Sequence, residues 1–178
     1  MPRAPSGWSL IAMSAGIGIS LATGMIGGRA QAPGDPAPVK SEGGKYVDAN
    51  GDPTFKVGAD GTVDWYTFQG YIRYTANCMQ CHGPRGQGSS FGPALANSLK
   101  TVDYNHLASI VANGRKSVNA AQDLVMPAFG ANKNVMCLLD AIYVYLRVRS
   151  AGATGPERPT KHEPKPPEFA EQENACMR

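Results

Sequence analysis

Residues 77–88 read Asn77-Cys78-Met79-Gln80-Cys81-His82-Gly83-Pro84-Arg85-Gly86-Gln87-Gly88, and the run from Cys78 to His82 decides the fold. It is C-x-x-C-H, the attachment pattern of haem c. A short helical segment sets two thiols three residues apart on one face, where each can form a thioether with one of a porphyrin's two vinyl groups. The next residue, His82, then lies under the iron as an axial ligand. A large apolar cofactor fixed in this way also supplies core to a domain of fewer than 100 residues, which otherwise buries a modest share of its surface. A redox pair of the thioredoxin kind needs a βαβ pattern beside C-x-x-C, and none is present. A structural zinc site needs four closed ligands, usually from a second pair, whereas Cys137 and Cys176 are single and far apart. Gly83, Gly86 and Gly88 follow the order G-x-x-G-x-G with no apolar strand before them, which excludes a dinucleotide loop.

Working outward, Trp65, Phe68 and Ile72 recur at i, i+3 and i+7, with Tyr71 and Tyr74 beside them. This spacing predicts an aromatic-faced helix over 65–77 that leads into the motif. A second helix is expected over 103–113, capped by Asp103 and ended by Gly114. A third is expected over 134–149, where Val135, Leu138, Leu139, Ile142 and Leu146 form the apolar face. Arg147 and Arg149 sit near its C-terminal end, where positive charge suits the helix dipole. Residues 115–130 show no sustained period.

The sixth iron ligand is sought among Met126, Met136, Met177 and His106. Met126 is followed by Pro127 in an irregular stretch rich in glycine, alanine and asparagine, so its thioether can reach across a porphyrin. Met136 neighbours the core face of the last helix, Met177 lies in the tail, and His106 belongs to a polar-edged helix. Met126 is the expected ligand, with His106 as the rival. His/Met ligation raises the reduction potential and leaves no open coordination position, which favours electron transfer over oxygen or peroxide chemistry.

The 178 residues include 21 glycines and 14 prolines, about a fifth of the chain, so a loop-rich protein is expected. A net charge of +3 is no nucleic-acid footprint. Residues 1–32 carry no acidic group. Arg3 precedes an apolar run from Trp8 to Ile26; Gly27, Gly28 and Arg29 follow, then Ala30-Gln31-Ala32, the layout of a secretory signal peptide. Pro33 would hinder cleavage, which leaves an uncleaved membrane anchor as the rival, yet the run is too rich in serine and glycine for a good span. The destination is a periplasm, which permits disulfides.

Residues 33–44 read as a linker. Residues 45–64 read as a small hairpin punctuated by Asn50-Gly51 and Asp60-Gly61. Asp48, Asn50 and Asp52 imitate the start of a calcium loop, but Pro53 and Ala59 occupy the positions that need Gly and Glu, so the turn reading stands. Residues 151–178 contain Pro156, Pro159, Pro164, Pro166 and Pro167 and are expected to be extended, with little regular structure. The divisions are thus 1–32, 33–64, 65–150 and 151–178.

Along the last helix Cys137 falls about 200° from Val135, opposite the apolar face. In an oxidising compartment such a thiol needs a partner. Cys176 is the one left, so a Cys137–Cys176 disulfide strapping the tail is expected, against two free or intermolecular thiols. Between residues 70 and 150 eight basic residues face three acidic ones, Asp103, Asp123 and Asp140. Of the basic residues Arg85, Lys100, Arg115, Lys116 and Lys133 lie in or near loops expected around the haem edge. They either steer docking onto an acidic partner or are ordinary solvated charge and propionate partners.

An aromatic helix before Cys78-x-x-Cys81-His82, then Gly92-Pro93-Ala94-Leu95, Met126-Pro127 and a final amphipathic helix together resemble class I cytochrome c. The resemblance covers about residues 65–150. It implies a mainly α fold, with the first and last helices crossing around one haem at a glycine contact that Gly70 supplies, plus the small N-terminal hairpin and the Pro-rich tail. It also implies that the Pro93 carbonyl accepts a hydrogen bond from His82. The runs GTVDWYTFQGY, NCMQCHGPRGQGSSFGPALANSLK and VMPAFGANKNVMC and the KHEPKP tail are more narrowly similar to the four-cysteine, methanol-metabolism-related c-type cytochromes. These are associated with PQQ-dependent methanol dehydrogenases, notably the lanthanide-dependent type. That likeness implies an electron carrier, not an enzyme, with such a dehydrogenase as donor and another cytochrome or an oxidase as acceptor. The alternatives are a haem-bearing subunit of a membrane oxidase or dehydrogenase complex, or a haem enzyme or gas sensor with a labile sixth ligand.

Overall fold

The computed structural model describes residues 35–118 and 123–178; the leader reading of residues 1–32 and the question of Pro33 lie outside them. Three antiparallel strands, β1 (Lys40–Glu42), β2 (Lys45–Val47) and β3 (Pro53–Thr54), come first. Helices α1 (Trp65–Asn77), α2 (Met79–His82), α3 (Leu95–Ser98) and α4 (Tyr104–Asn113) follow. A strand pair, β4 (Arg115–Val118) and β5 (Asp123–Met126), comes next, and then α5 (Lys133–Met136), α6 (Leu139–Ala151) and α7 (Pro167–Met177). Among the described residues no helix is long and apolar enough to cross a membrane.

Helix α1 starts where Asp64 caps it. Its carboxylate accepts from the Thr67 N–H at 2.8 Å and the Thr67 hydroxyl at 2.7 Å, and from the Lys56 N–H at 2.9 Å. These bonds offset burial, which pushes the Asp64 carboxyl above its ordinary range. Asp103 caps α4 in the same way, accepting from the His106 N–H at 2.7 Å.

Helices α1 and α6 cross at Gly70. A Cβ there would stand 1.9 Å from the Ala141 carbonyl oxygen and 2.8 Å from the Tyr145 Cβ, so only glycine admits this approach. Helix α6 buries residues on every side rather than along one stripe. Leu139, Ile142 and Leu146 join Tyr74, Leu99 and Leu107 in one cluster. Leu138, Ala141 and Val144 join Tyr66 and Phe169 in another.

Several sequence expectations change here. The last helix, expected to be continuous over 134–149, breaks into α5 and α6 at Cys137 and Leu138. Apolar spacing missed the break because the residues on both sides of it are buried, Val135 in the first cluster and Leu138 in the second. The N-terminal hairpin turns at Gly43-Gly44, inside the stretch read as linker, and pairs Lys40 with Val47. Within the stretch 115–130, read as aperiodic, residues 115–118 and 123–126 form the β4–β5 pair, with Arg115 opposite Met126.

The tail is also ordered. After an extended stretch it ends in α7, which starts at Pro167, where a missing N–H costs nothing. Phe169, 3% exposed, inserts edge-on against Tyr66 at 4.9 Å between ring centroids. His162 stacks on Phe68 at 3.9 Å. Glu173 pairs with Arg73 at 3.1 Å and Lys165 at 2.6 Å. Proline richness concealed this helix because the prolines lie before it or, as Pro167, at its first position, where they are tolerated.

Cys137 and Cys176 are bonded, with Cα atoms 5.7 Å apart, so α7 is tied to the α5–α6 junction. Closing that loop contributes about 4 kcal/mol in the chain-entropy model. Thiol titration of unfolded, unreduced holoprotein should find no free thiol, and reduction of the bond should lower the thermal midpoint. Two free thiols per chain would refute the strap.

Candidate functional site

Cys78 ends α1, its N–H donating to the Tyr74 carbonyl at 2.8 Å, and the chain turns at once into the single turn of α2. The two thiols and the imidazole therefore belong to one rigid corner. The buried Tyr74 donates its hydroxyl to the Gly83 carbonyl, which closes the corner from the α1 side; burial pushes the phenol up and keeps it a donor. The Ser89 hydroxyl donates to the Cys81 carbonyl, and the Gly88 N–H donates to the His82 carbonyl at 2.8 Å. The loop after the motif is thus folded back around it.

His82 is 7% exposed, and its Nδ1 lies 3.0 Å from the Pro93 carbonyl oxygen. A carbonyl has no proton to give, so Nδ1 carries the hydrogen and donates it. That fixes the tautomer and leaves Nε2 as the nitrogen with a free lone pair. Gly92 permits the approach, since a Cβ there would sit 2.9 Å from His82 Nδ1 and 3.0 Å from the Cys81 carbonyl oxygen. Sequence reasoning had no local signal for this packing beyond the Gly92-Pro93 pair.

Burial pushes the Cys78 thiol up to about 11, so this position suits an uncharged sulfur, as a thioether is; Cys81 is exposed. Leu95, Leu99, Val102, Val111 and Phe129 share one apolar cluster with Cys78 and Met79. Paired sulfurs, an imidazole fixed with Nε2 available and an adjoining apolar cluster fit a covalently held haem. Cys78 and Cys81 would carry its thioethers and His82 would ligate its iron. Such a group supplies one-electron chemistry when bound.

Met126 is half-buried and is the last residue of β5, not a residue of an irregular loop; Pro127 follows it. His106 is exposed on α4. Arg85, Lys100, Arg115, Lys116 and Lys133 are all exposed, and the Lys133 ammonium also donates to the Arg178 carbonyl at the tail's end. Arg147, read as a helix-end charge, is buried. Its guanidinium meets Asp48 at 2.6 Å and donates to the Pro53 carbonyl at 3.2 Å. Asp48 also accepts from the Asn50 and Asp52 N–H groups at 2.8 and 3.0 Å. The residues that imitated a calcium loop instead fasten the N-terminal sheet to α6. The sequence held a signal for this, an Asx turn with one carboxylate oxygen to spare, but not its partner 99 residues away.

The family described as "Cytochrome C oxidase, cbb3-type, subunit III" matches residues 68–146. Cytochrome c-553I of Paracoccus denitrificans is 48% identical over 143 residues, which cover 80% of this chain and 63% of that protein. The chain therefore spans less than two thirds of that relative's length. Cytochrome c-555 of Methylococcus capsulatus is 37% identical over 91 residues, 51% of this chain and 68% of that protein. The crystal structure of the c-type cytochrome XoxG from Methylobacterium extorquens AM1 superposes with a TM-score of 0.73 at 48% identity, covering 78% of this chain and 85% of that one.

The chain belongs to the class I c-type cytochromes. It carries the C-x-x-C-H motif of that family and binds haem c covalently.

Proposed function

We propose that this chain is a periplasmic carrier that accepts single electrons from a PQQ-dependent methanol dehydrogenase, of the lanthanide type, and passes them to another cytochrome or an oxidase. On this reading residues 1–32 are the export signal and 33–64 an extension. Residues 65–150 are the haem domain and 151–178 the tail. Cys78 and Cys81 hold the porphyrin, and His82 and Met126 bind the iron. The observation that carries the reading of the site is the buried His82, whose Nδ1–H is committed to Pro93 beside two cysteines about one helical turn apart. The choice of donor rests on the resemblance to methanol-metabolism-related cytochromes. The likeness to XoxG over 78% of this chain supports it.

The test is stopped-flow reduction of ferric holoprotein by purified methanol dehydrogenase. Rapid reduction is expected, slowing as ionic strength rises, because Arg85, Lys100, Arg115 and Lys116 are exposed cations whose steering salt screens. No reduction would defeat the donor assignment and leave the cytochrome intact. A rate indifferent to salt would defeat steering. The oxidase-subunit match over 68–146 favours a second reading, a subunit held in an oxidase complex. Co-purification with an oxidase, together with an intact mass that retains residues 1–32, would select it.

A further inference from the structure

The geometry points to Gly114 as the positioning residue for Met126: the C-terminal end of α4 is the seat on which the ligand segment rests. This inference builds on the assignment of Met126 as the sixth ligand.

Gly114 ends α4, donating its N–H to the Ile110 carbonyl at 2.8 Å, with φ +72° and ψ 179°. That region of backbone space is essentially restricted to glycine. A Cβ at this position would lie 2.7 Å from the Met126 carbonyl oxygen, 2.8 Å from the Ala128 nitrogen and 3.0 Å from the Pro127 carbonyl carbon. All three are backbone atoms, which cannot swing aside as a side chain can. The contact is therefore with the chain that sets where Met126 begins.

The seat extends on both sides of Met126. Before it, β5 pairs with β4 so that Met126 lies opposite Arg115, the residue that follows Gly114. After it, the Phe129 N–H donates to the Val111 carbonyl at 2.9 Å and the Gly130 N–H to the Ala112 carbonyl at 3.0 Å. These are carbonyls of the last turn of α4, which have no partner within the helix, so the ligand segment satisfies them. Gly130 fits as closely, since a Cβ there would stand 2.9 Å from the Ala112 carbonyl oxygen, and its φ is one that other residues adopt. Phe129 and Leu107 of α4 pack in one core cluster, so the seat is anchored.

A Cβ at position 114 pushes the Met126–Ala128 backbone off α4 and draws the thioether from the iron, while the thioether links at Cys78 and Cys81 stay out of reach of the change.

The experiment compares holoproteins of the wild type, Gly114→Ala, Gly130→Ala, Met126→Ala and Gly152→Ala. Gly152 also ends a helix with positive φ, but nothing lies within 4 Å of its Cβ position. Four readouts are taken: covalent haem content, the far-red thioether-to-iron band of the ferric protein, CO binding to the ferrous protein, and the thermal midpoint. Gly114→Ala should keep its haem, lose the band and bind CO. Gly130→Ala should move the same way to a smaller degree, and Gly152→Ala should keep the band. If Gly114→Ala does not accumulate, Gly130→Ala decides, and an intact band there overturns the inference. Retention of the band in both variants, while Met126→Ala loses it, overturns the positioning role and leaves the ligand. Loss of the band in Gly152→Ala to the extent seen in Gly114→Ala also overturns it. A band that survives in Met126→Ala removes the ligand assignment and the inference with it.

Discussion

Replacing Asp48 with alanine should cost about 3–5 kcal/mol, the penalty for removing one member of a buried ion pair. Asp48 is 2% exposed and Arg147 3% exposed, so the ion pair lost is a buried one. The loss also removes the acceptor for the Asn50 and Asp52 N–H groups, which loosens the turn between β2 and β3. Because the pair is buried, added salt should recover little of the loss. Combining Asp48→Asn, which keeps the turn acceptor, with Arg147→Met, which removes the buried positive charge, should cost less than Asp48→Ala alone. Thermal and guanidinium melts of the holoproteins measure both. An Asp48→Ala melt within about 0.5 kcal/mol of wild type, the range of an ordinary surface change, would show that the pair does not hold the sheet to α6.

Substituting Gly70 with alanine sets two effects against each other. In a helix interior alanine is favoured over glycine by about 1 kcal/mol. Against this, the new methyl would stand 1.9 Å from the Ala141 carbonyl oxygen and 2.6 Å from its carbon, which no side-chain rotation relieves. The two helices must part, and among the described elements they are the pair in most extensive contact. Overpacking of this kind costs 1–3 kcal/mol and sometimes more, so a net loss of about 2 kcal/mol or greater is expected. Gly155→Ala, with nothing within 4 Å, is the matched control and should melt as the wild type does. A Gly70→Ala protein that melts with that control would mean that the crossing is looser than these distances imply.

Much of the fold was legible because its causes are local. The aromatic spacing of 65–77 matched α1 residue for residue, and the Asp103 cap and Gly114 stop bounded α4. The break at Cys137 was hidden because apolar residues on both sides of it point into different clusters, and a single-stripe reading merges them. The β4–β5 pair was hidden because each strand has only four residues, so the alternation of exposed and half-buried positions in β5 is too short to stand out in the sequence. Helix α7 was hidden because composition, rather than the position of each proline, governed the expectation for the tail.

The sequence by itself determined the chemistry. Two thiols and an imidazole at C-x-x-C-H spacing need only one helical turn to act together, and local backbone geometry guarantees that turn. Only the tertiary structure decided what holds this corner and what surrounds it. It gave Asp48 its partner in Arg147, brought Pro93 to His82, laid α7 across Tyr66 and set the Met126 segment on the end of α4. These are contacts between residues distant in the chain or approaches too close for a Cβ. They depend on where whole elements come to rest, which short-range spacing does not encode.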